Sequence, residues 1–391
     1  MNLLEFNNTP INSLIGIYRS YQYNKIDYLL DLGIRYLNNL GLQVDSKVYP
    51  NISGILKTKD SNYTKINHFD TTQYKIKIID DKQNWFLVLS IPNLIDGVFF
   101  KLNQSYYIPI LYIIDEPIVV KEESIKLDSL FQPISLYFKN RTVTFLGESY
   151  WLSDFFDFMT YYWDVDTRKN IESLLDIKFT GKLQSIIDIF ANKLNCLQDY
   201  DVIKNKINLL FFDEWTSDLY KKYYNIETFD DILMTVLYKR YDQVVNDQVY
   251  KFNDLRHKRL IFIEMLLKPY FKNISLCAKL LLKNNVILNS KMKIKDIIDH
   301  FFSTLNGNSL YDTVNGFSGI LTHKATFKNP FGSGELPKEV SSIHWTHKNR
   351  ICPNSISNHD SGQDVFLVPN QQIDLDYGMF SFTEEEMNYP S

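Results

Sequence analysis

Tyr74-Lys75-Ile76-Lys77-Ile78, then Asp80-Asp81-Lys82-Gln83, then a run from Trp85 to Ile91, is the stretch on which the fold class turns. The first five residues alternate apolar and charged, the polar quartet is turn-like, and the third run is rich in strand formers, so the segment predicts a β-hairpin. Upstream, apolar residues recur at helical spacing: Leu14, Ile17, Tyr18 and Tyr21, then Ile26, Leu29, Leu30, Leu32 and Ile34. Two short helices between residues 12 and 40 follow from that period. Downstream, strands are expected at 98–102 and 106–114, and after Trp151 helical spacing takes over at 171–197, 201–210, 229–245 and 258–282. Past Thr304 the pattern stops, and Gly307, Gly316, Gly319, Pro330, Gly332, Gly334 and Pro337 mark a loop-rich segment. The expectation is a multidomain α+β chain: a mixed hairpin-and-helix first part, a mainly helical middle and a loop-rich final part. No internal repeat is visible, and the acidic run Glu384-Glu385-Glu386 opens an expected solvated tail over 383–391.

With 391 residues, 45% of them hydrophobic and 15% aromatic, the chain has material for two or three cored domains and is not of disordered composition. Alanine occurs only at 191, 278 and 325, while Asn, Lys, Ile, Tyr and Phe abound, a usage that suits an AT-rich genome. A formal net charge of -4 disfavours a protein that grips nucleic acid over its whole surface, so any such contact must be local. Cys196, Cys277 and Cys352 are far apart and odd in number, which implies no disulfide framework and a reducing compartment. The first nine residues lack a basic region, and the apolar run around Pro109 is short. Neither signal peptide nor membrane span is expected.

The densest chemistry lies in Ile343-His344-Trp345-Thr346-His347-Lys348-Asn349-Arg350-Ile351-Cys352-Pro353. Two histidines, a lysine and an arginine supply donors suited to phosphates, while Trp345, Ile351 and Pro353 can anchor the segment on a core. His344, His347, Cys352 and His359 are also zinc-ligand types, but their spacing is uncommon and lacks a paired C-x2-C, so no metal is expected on this chain. Asp374 with Asp376, and Asp360 with Asp364, are short acidic pairs of the kind that surfaces often carry. No phosphate-binding glycine loop, nucleophile elbow or H-E-x-x-H motif is present.

Three segments, in order, carry a resemblance to the β subunit of multi-subunit DNA-dependent RNA polymerases. Ile91-Pro92-Asn93-Leu94-Ile95-Asp96-Gly97-Val98-Phe99-Phe100-Lys101-Leu102-Asn103, with the apolar strand up to Ile114, is similar to the protrusion pattern P-x-M-x-x-x-G-x-F-I-I-N-G. Asn253-Asp254-Leu255-Arg256-His257-Lys258-Arg259-Leu260 resembles D-x-D-H-x-G-N-K-R-L, where the chain leaves the lobe and returns to the protrusion; Asp254 is an expected N-cap. Leu321-Thr322-His323-Lys324, the loop Gly332-Ser333-Gly334-Glu335, and the stretch to Pro353 and on to Leu367 resemble the fork, with its T-H-K and V-H-P-T-H-Y-G-R-x-C-P patterns. Ala325-Thr326 stands where the family has an arginine pair.

The resemblance implies protrusion-like parts at 1–130 and 253–306, a lobe-like domain at 131–252, and a fork-like segment at 307–382. It implies nucleic-acid contacts by His323, Lys324, His347, Lys348 and Arg350, with Arg256, Lys258 and Arg259 as further donors, and places Gly332 to Glu335 at the fork loop where strands separate. Read with the AT-rich composition, the chain resembles the N-terminal piece of the split β subunits of giant bacteriophages. The catalytic residues and Mg2+ would then sit on other subunits, and this chain would bind no cofactor itself. Its partners would be a C-terminal β fragment, β′-like chains, a promoter-specificity subunit, template DNA and nascent RNA, in host cytoplasm or virion. The competing expectation is a non-enzymatic DNA-binding or phage structural protein.

Overall fold

A computed structural model describes residues 14–50, 54–57, 63–66, 71–79, 84–95, 99–102, 105–107, 110–245, 253–282, 324–327, 343–355, 364–368 and 372–387. The fold is multidomain α+β, in two compact units. One comprises 1–115, 251–270 and 291–391, and the other 116–250 and 271–290.

The first unit opens with α1 (Leu14–Asn24) and α2 (Ile26–Asn39), the two helices that the periodicity predicts. On α2 the buried residues Ile26, Leu29, Leu30, Gly33, Tyr36 and Leu37 form one stripe. Gly33 is required there: Tyr270 donates its hydroxyl to Leu30 O at 2.6 Å, and a Cβ on Gly33 would overlap that ring. Strands β1 (Gln43–Pro50), β2 (Gly54–Lys57), β3 (Tyr63–Ile66), β4 (Thr71–Ile79) and β5 (Asn84–Pro92) follow. The expected hairpin is the antiparallel pair β4–β5, with Ile78 opposite Trp85 and Ile76 opposite Leu87. β4 keeps Ile76 and Ile78 buried, as its alternation requires. Then come β6 (Leu94–Ile95), β7 (Phe99–Leu102), β8 (Ser105–Tyr107) and β9 (Leu111–Asp115). The single strand expected at 106–114 is thus two strands in different sheets, β8 beside β7 and β9 elsewhere, with Pro109 between them.

The second unit begins with a meander: β10 (Ile118–Lys121), β11 (Ser124–Leu127), β12 (Ile134–Tyr137), β13 (Thr142–Phe145) and β14 (Glu148–Trp151), each antiparallel to the next. Ile125, Leu127, Ile134, Leu136, Val143 and Phe145 alternate onto its buried face. The boundary expected at 130/131 falls inside this sheet, between β11 and β12. The middle domain is therefore a sheet plus helices and not mainly helical from its start. Six helices follow: α3 (Leu152–Met159), α4 (Val165–Leu175), α5 (Leu183–Leu194), α6 (Tyr200–Phe211), α7 (Glu214–Tyr224) and α8 (Phe229–Val245). Asp164, Asp199 and Asp213 cap α4, α6 and α7 by accepting from the amides of Thr167, Val202 and Thr216 at 2.8, 3.0 and 2.9 Å. Asp176, Asn195 and Asn225 close α4, α5 and α7 in left-handed conformations, so the helix expected over 171–197 is two. Phe155, Phe156, Phe158, Phe190, Phe211 and Phe229 are fully buried, and burying each such ring contributes about 1.5–3 kcal/mol.

After 250 the chain forms β15 (Lys258–Ile261), α9 (Ile263–Leu266), α10 (Lys268–Leu282), β16 (Lys324–Phe327), β17 (Asp364–Phe366) and α11 (Glu384–Met387). The expectation of a helix from 258 is corrected: 258–261 is a strand with all four residues buried, a pattern in which period two leaves no trace. β15, β9, β16 and β17 make one sheet in that order, β16 running parallel to β9 and the other pairs antiparallel. No helix among the described residues is long and apolar enough to cross a membrane.

Candidate nucleic-acid interface and its clasp

The first unit's four-stranded sheet takes a strand from each of the three segments singled out in the sequence, although Leu94–Leu102 of the first segment lies in the separate β6–β7–β8 sheet. β9 ends the first, β15 belongs to the second, and β16 and β17 belong to the third. Beside the sheet, the turn at 253–257 and the short 3-10 helix Trp345–His347 lock together. The Leu255 amide donates to Thr346 Oγ1 at 3.1 Å, and His347 Nε2 lies 2.7 Å from Asn253 O. A carbonyl can only accept, so His347 carries its proton on Nε2, leaving Nδ1 to accept from the His344 amide at 3.4 Å. Thr346 in turn contacts His344 Nδ1 at 2.8 Å. Burial lowers the His347 pKa, with the hydrogen bond to Asn253 opposing, and keeps the ring neutral. The histidines are thus spent on hydrogen bonds that hold the turn, and His347 is corrected from a phosphate contact to a structural residue.

Most of the cations are spent the same way. Lys258 is 1% exposed and paired with Asp115 across the β15–β9 ladder. Arg259 is 3% exposed and grips Glu264 through two bonds of 2.7 and 2.8 Å. Arg350 donates to Ser381 O at 2.6 Å and to both Glu386 oxygens at 3.2 and 2.7 Å, with its guanidinium 3.9 Å from the Phe382 ring centre. These three are corrected from surface donors to interior ion-pair partners, since a guanidinium already bidentate on a carboxylate has little left for a phosphate. Sequence reasoning missed the partners Asp115, Glu264 and Glu386 because each is distant along the chain or hidden in a helical or tail-like stretch. Glu386 also corrects the solvated tail: it sits on α11, and Arg350 holds its carboxyl down at about 2. Residues 388–391 lie outside the described residues.

Arg256 is half-buried. Its guanidinium lies 5.0 Å from the Trp345 ring centre and forms bonds of 2.9 and 2.6 Å with Asp254. Burial alone would raise the Asp254 carboxyl, but hydrogen bonds from the Arg256 side chain and amide bring it below its ordinary value. Asp254 is the expected cap, accepting from the Arg256 amide at 2.9 Å.

A strap from Gln372 to Ser381 crosses the same neighbourhood. Gln22 of α1 donates to Leu375 O at 2.5 Å and Asp376 O at 2.9 Å, and Lys25 pairs with Asp376 at 2.9 Å. The Leu260 amide donates to Gly378 O at 2.8 Å, and Tyr18 donates to Leu260 O at 2.6 Å. Gly378 has φ +75°, and a Cβ there would overlap Leu260 O and the Tyr18 hydroxyl. The second acidic pair of the sequence, Asp374 and Asp376, is accordingly part of the strap: Asp374 caps its turn by accepting from the Tyr377 amide at 2.8 Å.

The chain matches no known protein family and no curated protein.

Of the expected donors, Lys348 is exposed, at the apex of a turn where Asn349 takes a left-handed φ of 61°. Lys324 is half-buried on β16. The neighbouring Ala325 is fully buried between β9 and β17, so an arginine there, as in the family pattern, would have no room. His323, the loop Gly332-Ser333-Gly334-Glu335 and His359 lie outside the described residues. Among the described residues, no group of three His, Cys, Asp or Glu side chains is placed to hold a metal ion. Among the described residues the arrangement is a clasp that leaves Lys348 exposed at its turn.

Proposed function

We propose that this chain is the N-terminal β-type subunit of a viral multi-subunit DNA-dependent RNA polymerase, lining the main channel beside the RNA-DNA hybrid and downstream DNA. The observation that supports the reading is that strands from the three resembling segments, more than 200 residues apart at their extremes, are neighbours in one sheet: β9 at the end of the first, β15 of the second, and β16 and β17 of the third. Chance likeness in three separate hairpins and basic clusters gives no reason for them to be strand neighbours. On this reading the clasp sets the position of the 348–350 turn, and Lys348 meets a backbone phosphate. Lys258 holds β15 to β9, Arg259 holds β15 to α9 and Arg350 holds α11, rather than touching nucleic acid. Nucleotidyl transfer, with its Mg2+, belongs to β′-like and C-terminal β partners, and promoter choice to a further subunit.

Affinity purification of the tagged chain from its native source tests the proposal. Larger polymerase-like chains and ribonucleotide-incorporating activity are expected to come with it; recovery of the chain alone and inactive sinks the reading in favour of a structural or DNA-binding protein. In the assembled complex, Lys348→Ala should flatten the salt dependence of DNA-RNA scaffold binding by up to about one unit of log-log slope. An unchanged slope removes Lys348 from the interface.

A further inference from the structure

The second unit carries an aromatic surface that its own fold does not use. Tyr161 and Tyr162 follow α3, and Tyr162 is 71% exposed. Tyr162 packs edge-to-face on Tyr161, with centroids 5.2 Å apart, and on Tyr200 of α6, at 4.8 Å. Tyr200 rests on the buried Phe158 at 4.8 Å, and Phe158 on Phe190 at 5.0 Å. The exposed ring is therefore built onto the core and fixed before any partner arrives, which lowers the ordering cost of binding. Val165, three residues on and 65% exposed, adds apolar area beside it in sequence.

Exposed charge around this surface is mostly negative, with Lys169 the exposed cation of α4 nearest to it in sequence. Asp164 and Asp166 open α4, Asp199 and Asp201 flank Tyr200, and all four are exposed. Two cations already lie against the rings: Arg168 is 5.6 Å from the Tyr161 centre and Lys204 is 5.8 Å from the Tyr200 centre. Both are neutralised, by Asp157 and Asp230 respectively. The surface thus offers π-faces, which attract cations, on elements that expose four aspartates against Lys169, an excess of negative charge that disfavours phosphates.

We infer that Tyr162 and its neighbouring rings form a docking platform for a Lys- or Arg-bearing segment of a partner protein. The inference stands apart from the clasp and does not require the polymerase reading.

The test is fluorescence anisotropy of the full chain with a labelled arginine-glycine peptide, with a labelled oligothymidylate as the competing probe. Tyr162→Ala should weaken peptide binding about fivefold, the size of an exposed cation–π contact. Asp166→Asn combined with Asp201→Asn, which leaves the capping Asp164 and Asp199 in place, should weaken it about threefold at low salt and much less at high salt. Tyr238→Ala, an equally exposed tyrosine on α8, should leave it unchanged. Peptide binding insensitive to Tyr162→Ala overturns the proposal. So does Tyr162-dependent binding of the oligothymidylate in preference to the peptide, and so does a self-associated chain that Tyr162→Ala dissociates in sedimentation.

Discussion

Around β15 the first unit buries charge, and around α3 and α5 the second buries rings. Lys258 and Arg259 are as deeply enclosed as Phe158 and Phe190, yet the first pair depends on carboxylates at fixed angles and the second on contact area. The Lys258–Asp115 pair makes the β15–β9 register specific, because a strand slipped by one residue would leave a buried ion unpaired, and Arg259–Glu264 ties β15 to α9, whereas an aromatic core tolerates small shifts of its rings. The first unit is where the resembling segments meet, so its construction favours exact placement of a turn. The second keeps a tolerant interior beneath the exposed rings of Tyr161 and Tyr162.

The sharpest way to break this contrast is to remove one charge. Arg259→Met strands Glu264 in the interior and should destabilise the first unit by about 3–5 kcal/mol in urea unfolding, with much of the loss restored by adding Glu264→Leu. A loss below about 1 kcal/mol would mean that the pair does not anchor β15 to α9.

Next in size is a difference in pH response. Asp213, fully buried at the start of α7, is pushed up to about 6 by desolvation, against the hydrogen bonds from Thr216. The folded chain therefore holds this proton more tightly than the unfolded chain, whose aspartate titrates near 3.8. The contribution, about 3 kcal/mol, is fully present below that lower value and is lost as pH rises through about 6. His347 and Glu386 in the first unit are both shifted down, so their contributions are present at neutral pH and are lost on acidification, Glu386's as pH falls through about 2. Hydrogen exchange resolved by unit should show the second unit gaining protection relative to the first between about pH 6 and about pH 4, and Asp213→Asn should remove the second unit's gain. The same slope in both units would dissolve the distinction.

The smallest effect concerns the strap. Gly378→Ala should cost about 1–3 kcal/mol and raise exchange at the Leu260 amide, which donates to Gly378 O, while leaving amides of the second unit unchanged.

Local pattern made part of this legible. The hairpin over 71–92 follows from alternation around a polar turn, α1 and α2 from a clean helical stripe, and α8 at its observed ends from period alone. β15 was hidden because Lys258 and Arg259 are charged residues in inward positions, a choice explained by the distant Asp115 and by Glu264, five residues on in what reads as one helix. The meander at 118–151 was hidden for a different reason: four-residue strands give the period-two test too few residues. In the candidate site, Asp254 was readable as a cap and Ile351 as an anchor, whereas Trp345 is half-buried. That Arg350 would be claimed by Glu386, 36 residues later, depends on the path of the strap and leaves no local signal.

β9 has a consequence for how the chain is made. It is synthesised before either strand that flanks it, and its ion-pair partner on β15 lies 143 residues later. At ribosomal speeds that is a wait of roughly ten to thirty seconds, during which Leu111 to Asp115 presents two open hydrogen-bonding edges of apolar sequence. The 116–250 part of the second unit emerges within that interval, whereas its 271–290 part follows residue 258. Nascent chains halted before residue 258 should therefore be the aggregation-prone species, and chaperones that shield strand edges should matter most at that length.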